Sequence, residues 1–90
     1  MITLTGTLTC LTPDDLVIVQ TYLPDHVTLS RAEPGCLRFE VTQTADPLVW
    51  QLDETYVDPA AFDAHQARNR ASVWWQMSQG LIRDFKITDA

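Results

Sequence analysis

Ninety residues carry six basic and twelve acidic side chains for a formal net charge of −6, and 46% of them are hydrophobic against 20% charged. These proportions exclude a disordered tail and a multidomain enzyme, and leave one small globular domain, residues 1–90, around a single core. The acidic balance repels a phosphate backbone, which excludes nucleic acid as the default partner, and no apolar run approaches the roughly 18 to 20 residues that span a bilayer.

The opening stretch from Ile2 to Cys10 alternates strictly, with Ile2, Leu4, Leu8 and Cys10 on one face and threonines on the other, the pattern of a half-buried strand. It is not the continuous apolar block of a signal peptide, so the expectation is a soluble, cytoplasmic protein. Thr12, Pro13, Asp14 and Asp15 then supply a cap, a first-turn proline and acids that complement a helix dipole. Leu16, Val19, Leu23, Val27 and Ser30 continue at helical spacing over residues 13 to 32. Pro24 should kink this segment, and two abutting helices fit the pattern as well as one. His26 neighbours Asp25 and reads equally as a surface residue; it is held in reserve.

Glu33, Pro34 and Gly35 end the helix. Alternation returns from Cys36 to Gln43, with Leu37, Phe39 and Val41 expected inward, and a turn at residues 44 to 47 makes a hairpin with a third strand. On that strand Leu48, Trp50, Leu52, Glu54 and Tyr56 share a face. Asp58 and Pro59 open a second helix through Phe62 and His65, Asn69 marks a break or a second cap, and residues 70 to 79 carry Val73, Trp74 and Met77 at helical spacing. Gly80 precedes a last strand over residues 82 to 88.

Strand, helix, strand, strand, helix, strand is the order of a ferredoxin-like α+β sandwich, in which an antiparallel sheet has both helices on one face. The uncovered face would carry Thr3, Thr5, Thr7, Arg38, Glu40, Val49, Gln51 and Asp53, either solvated or closed by a second copy. A chain this short buries only about 60 to 65% of its unfolded surface, which favours the homodimer. The same topology sets Cys10 and Cys36 at opposite ends of parallel strands, roughly 25 Å apart, too far for a disulfide. Neither cysteine lies at a metal-ligand spacing, and no metal site is expected.

Glu54 is the most informative residue, because a carboxylate on the face beneath the helices requires either an open edge or a polar partner. His65, on the stripe that carries Phe62, is the obvious inner partner: a base whose tautomer Glu54 would fix. Phe39, Trp50, Tyr56, Phe62 and Trp74 gather where an apolar pocket would form, and Trp74 and Trp75 cannot both face inward on one helix. Arg38, Arg68, Arg70 and Arg83 would serve an anionic substrate or sit as solvated surface.

The segment from Glu33 to Val41, the run from Glu54 through Tyr56 to His65, and Trp74 downstream resemble the antibiotic biosynthesis monooxygenase family over almost the whole chain. The resemblance implies a dimeric α+β barrel of two ferredoxin-like protomers, each with a hydrophobic pocket between sheet and helices. It also implies chemistry that varies across the family: cofactor-independent oxygenation of anthrones and quinols, haem degradation, or isomerisation of phosphorylated sugars. Haem degraders of the family use a first-strand asparagine, and the first strand here has none. Of the family's helical histidines only His65 carries over, since Asn69 and Arg70 stand where a second often follows. The expectation is therefore an oxygenase without metal, flavin or other cofactor, acting with dioxygen on a flat aromatic phenol, anthrone or quinol. His65 and Glu54 would be catalytic. Trp50, Tyr56, Phe62, Trp74 and Phe39 would hold the ring, with the Tyr56 hydroxyl on a substrate oxygen. The rival is a binding module, or an isomerase that uses the same base and the same pocket.

Overall fold

The computed structural model describes residues 1–89. In chain order the elements are β1 (Ile2–Thr9), α1 (Pro13–Arg31), β2 (Cys36–Gln43), β3 (Val49–Tyr56), α2 (Pro59–Arg70), α3 (Val73–Met77) and β4 (Ile82–Asp89). The four strands lie in the order β2-β3-β1-β4, and every neighbouring pair is antiparallel. This is the ferredoxin-like α+β arrangement, its second helix divided into α2 and α3.

Strand alternation determines the layers. Ile2, Leu4 and Leu8 of β1 and Leu52, Glu54 and Tyr56 of β3 turn toward the helices and are buried. With Val19 and Leu23 of α1, Trp74 of α3, Cys10 and Leu81, the leucines of both strands form one apolar cluster. Gly6 interrupts the β1 pattern opposite Phe85 of β4; its φ is +155°, and a Cβ there would run into the Asp84 carbonyl oxygen, a position only glycine accepts.

Thr12 caps α1 by accepting the Asp15 N–H at 3.3 Å, with Pro13 in the first turn and Asp14 and Asp15 beside the dipole. The helix runs unbroken through Pro24, one element rather than two. Its buried stripe is Val19, Leu23, His26 and Ser30, at intervals of four, three and four. His26 thus belongs to the core and not to the surface: Leu23 has inward neighbours both three and four residues later, and the three-residue step is the deeper one.

A bulge alters the start of β2. Cys36 pairs with Tyr56 and Arg38 with Thr55, so Leu37 is the extra residue between them. It is 58% exposed, against the inward place that simple alternation assigns it, whereas Phe39 is 2% exposed. Asp58 caps α2 through the Ala61 N–H at 2.8 Å. The break after α2 is made by Ser72 rather than Asn69: its hydroxyl accepts the Trp75 N–H at 3.1 Å and donates to the Asn69 carbonyl at 2.6 Å. The expected helix over 70 to 79 is accordingly confined to α3, with Trp74 inward and Trp75 half-buried. Among the described residues no helix is long and apolar enough to cross a membrane.

Candidate active site

His65 is the only buried residue of α2. It lies opposite Glu54 of β3, as the sequence suggests, but the carboxylate that grips it comes from elsewhere. Nδ1 of His65 is 2.6 Å from Oε1 of Glu33, while Nε2 is 3.8 Å from Oε1 of Glu54, beyond hydrogen-bonding range. Glu33 follows the C-terminus of α1, and the local backbone explains how it reaches α2. Its N–H donates to the Ser30 carbonyl and its carbonyl accepts from Cys36, which folds the chain back at once. Gly35 then packs against α2 so closely that a Cβ there would meet Cβ of Ala61 at 2.2 Å. The Val57 N–H donates to the Gly35 carbonyl at 2.9 Å and ties the same turn to the end of β3.

Arg68 supports the pair from one helical turn beyond His65, its Nη2 donating to Glu33 at 3.2 Å and to the Ser30 hydroxyl at 2.9 Å. Burial alone would raise the Glu33 pKa, but hydrogen bonds from Arg68 and His65 outweigh it and hold the carboxyl below its ordinary range. The His65 pKa is lowered, chiefly by burial and against the pull of Glu33. At neutral pH the pair is therefore an ionised carboxylate and a neutral imidazole. Glu33 accepts the Nδ1 proton, and the Nε2 lone pair points to the side of Glu54.

Glu54 is 4% exposed, and burial pushes its carboxyl up to about 7 despite the hydrogen bond from Tyr56. Tyr56 is fully buried and donates its hydroxyl to Oε1 of Glu54 at 2.6 Å. Burial, followed by the neighbouring Glu54 charge, raises the Tyr56 pKa, so it remains a phenol. A base with a fixed tautomer and a carboxylic acid that titrates near neutrality thus stand side by side, an arrangement suited to moving a proton between carbon, nitrogen and oxygen.

Both open into a cavity of about 210 Å³. Its apolar wall is made by Leu4, Leu8, Leu23, Leu52, Phe39 and Trp74, and its polar positions include His26, Asn69 and Arg83. Arg83 is anchored rather than free: it donates to the Ser78 carbonyl and hydroxyl at 2.8 and 2.6 Å and lies 5.1 Å from the Trp75 ring centre. Of the aromatic residues expected to hold a ring, Phe39 and Trp74 line the cavity, whereas Trp50, Tyr56 and Phe62 are not among its lining residues. Tyr56 stands behind Glu54, with Phe62 against it at a centroid distance of 5.3 Å. Trp50 packs against the core cluster, and its buried indole Nε1 has no hydrogen-bond partner.

The reading of the sequence missed Glu33, which passes there for a turn residue. A signal existed: an acid at the C-terminal end of a helix opposes the dipole and calls for a cation or a specific partner. Arg68 and His65 provide both.

No curated protein matches the chain. Solved structures do. A protein of Deinococcus radiodurans superposes with a TM-score of 0.82 at 18% identity, over 100% of this chain and 92% of its own. An antibiotic biosynthesis monooxygenase superposes at 0.80 with 23% identity, over 100% of this chain and 98% of its own. A protein of Pseudomonas aeruginosa reaches 0.71 at 27% identity, covering 97% and 88%. At 18% and 23% the likeness speaks for the fold alone. Membership follows from the sequence profile: that of the antibiotic biosynthesis monooxygenases matches residues 1–74, most of the chain, which therefore belongs to that family.

Proposed function

We propose that this protein is a cofactor-independent monooxygenase that oxidises an aromatic phenol, anthrone or quinol with dioxygen. The observation that carries the reading is the 2.6 Å contact between Nδ1 of a buried His65 and Glu33, which leaves Nε2 as a base beside the apolar cavity. An anthrone-type carbon shows the chemistry. His65 removes one benzylic proton, and the carbanion passes an electron to dioxygen. Recombination of the radical and superoxide forms the carbon–oxygen bond of a peroxide anion, which recovers a proton from the imidazolium. Loss of the second benzylic proton then breaks the oxygen–oxygen bond, with departure of hydroxide, and leaves a ketone. In sum the methylene group and one dioxygen become a ketone and one water, with dioxygen the only oxidant. In this reading ionised Glu33 stabilises the transient imidazolium, and Glu54, 3.8 Å from Nε2, serves as a second proton carrier on the substrate. The apolar wall excludes water from the carbanion.

The active form in this reading is a homodimer in the cytoplasm, with the half-exposed Thr3, Thr5, Thr7, Gln51 and Asp53 of the outer sheet face covered by a second copy. Sedimentation at micromolar concentration should give twice the chain mass; a monomer would remove this part of the proposal.

Oxygen uptake by EDTA-treated protein across a panel of anthrones, naphthoquinols and catechols, corrected for autoxidation, tests the activity. His65→Ala should slow it by about 10² to 10⁴-fold with the fold retained. No uptake from folded protein, but solvent deuterium entering substrate carbon, would instead favour the isomerase, which needs only the same pair of proton carriers. Saturable tryptophan quenching with neither reaction would favour a binding module.

A further inference from the structure

The oxygenase mechanism leaves the imidazole of His26 without a task. His26 is 6% exposed, lines the same cavity as His65 and Glu54, and its Nδ1 has no hydrogen-bond partner. Buried polar atoms are nearly always paired, so an orphan of this kind calls for an explanation. Reorientation does not offer one, because the ring is clamped. It stacks on Trp74 with centroids 6.0 Å apart and planes at 23°, meets Phe39 edge-on at 5.5 Å, and lies 5.6 Å from the His65 ring. A phenylalanine would fill the same apolar slot with nothing left unpaired. A second orphan, Oδ1 of Asn69, belongs to another residue lining the cavity. Two residues that line one mainly apolar cavity, each with an unpaired polar atom, match a ligand that is a flat hydrocarbon with polar substituents.

We infer that His26 is the substrate-binding residue that hydrogen-bonds a ring oxygen, so that the cavity selects hydroxylated arenes over the bare hydrocarbon. The volume admits such a ligand: about 210 Å³ exceeds the roughly 150 Å³ that holds a single benzene ring. The protonation state is suited to the role. Burial, with the His65 and Arg68 charges adding to it, brings the His26 pKa down to about 3, so the ring stays neutral and donates an N–H without surrendering it. His65 takes the proton, and the oxygen on which the resulting negative charge spreads meets a fixed donor. This inference deepens the oxygenase reading but is tested by binding, which needs no turnover.

The probes are 1-naphthol and naphthalene, titrated by quenching of the fluorescence of the three tryptophans, of which Trp74 and Trp75 line the cavity. Wild type should bind 1-naphthol at least tenfold more tightly. His26→Phe should bind naphthalene as wild type does and lose the preference for the hydroxyl. In wild-type protein the imidazole 15N resonances of His26, one of only two histidines, should shift with 1-naphthol and not with naphthalene, a readout independent of how the variant folds. A preference unchanged in folded His26→Phe, or His26 resonances indifferent to the hydroxyl, would overturn the inference even if oxygen uptake is observed. A His26-dependent preference in a protein that consumes no oxygen would uphold it and overturn the oxygenase reading alone.

Discussion

The two histidines of the cavity are almost equally buried, at 3% and 6% exposure, yet their surroundings are opposite. His65 on α2 is held at one nitrogen by an ionised carboxylate, itself clamped by Arg68, and faces a second carboxylate with the other. His26 on α1 touches Phe39, Trp74 and the His65 ring, and its Nδ1 is unpaired. Burial depresses both pKa values, but the Glu33 contact opposes the fall at His65, whereas His26 drops to about 3. Burial without a carboxylate contact, with neighbouring positive charges adding to it, thus makes a neutral donor at ordinary pH. A base requires burial together with a carboxylate at the far nitrogen.

Removing that carboxylate should break the contrast most completely. Glu33→Gln keeps the shape but lets an amide N–H face Nδ1, which favours the wrong tautomer, and the loss in kcat should approach about 10² to 10⁴-fold with little change in KM. Glu33 is a positioning residue, so the pH profile is the decisive readout: its acid limb should move, which lost packing alone would not cause.

The next effect is on stability. Glu54 titrates near 7 in the fold and near 4.5 in the unfolded chain, so below pH 4.5 it is protonated in both states and costs nothing. Between 4.5 and 7 the folded state binds more protons, and stability falls as pH rises. Glu54→Gln should therefore raise stability at pH 8 by up to about 3 kcal/mol, and not at pH 4, as measured by urea unfolding. The same variant should lose activity, and the limb near pH 7 that belongs to the Glu54–His65 pair should vanish. Gly35→Ala would force the Glu33 turn away from Ala61, with a cost of about 1 to 3 kcal/mol and a weaker hold on His65. Leu37→Thr, at the bulge, should change stability by less than about 0.5 kcal/mol; a larger loss would mean that Leu37 is covered.

Much of this is legible in the sequence. The alternation of β1 and β3, the caps at Thr12 and Asp58 and the proline after each place the elements, and a glutamate on the buried face of a strand points to the site. What escapes is whatever depends on a non-local approach or a one-residue shift. The bulge at Leu37 has no period of its own, and the inward step from Leu23 to His26 is as helical as the step to Val27. Glu33 meets His65 across 32 residues of chain, a contact made by the bare Cα of Gly35 rather than by any local pattern. Tyr56 lies on the inner face as alternation predicts, but the acceptor of its hydroxyl is Glu54, which no spacing along β3 singles out from a ligand oxygen.

The central claim is that the protein itself generates the substrate anion, through His65 held by Glu33. Anaerobic rapid mixing with 1,4-dihydroxynaphthalene at pH 7, after EDTA treatment, isolates that step from oxygen. Wild type should show the bound anion by its red-shifted absorbance, His65→Ala should not, and Glu33→Gln should show it far more slowly. Equal anion formation by wild type and His65→Ala, or none by wild type that binds the compound, would contradict the account.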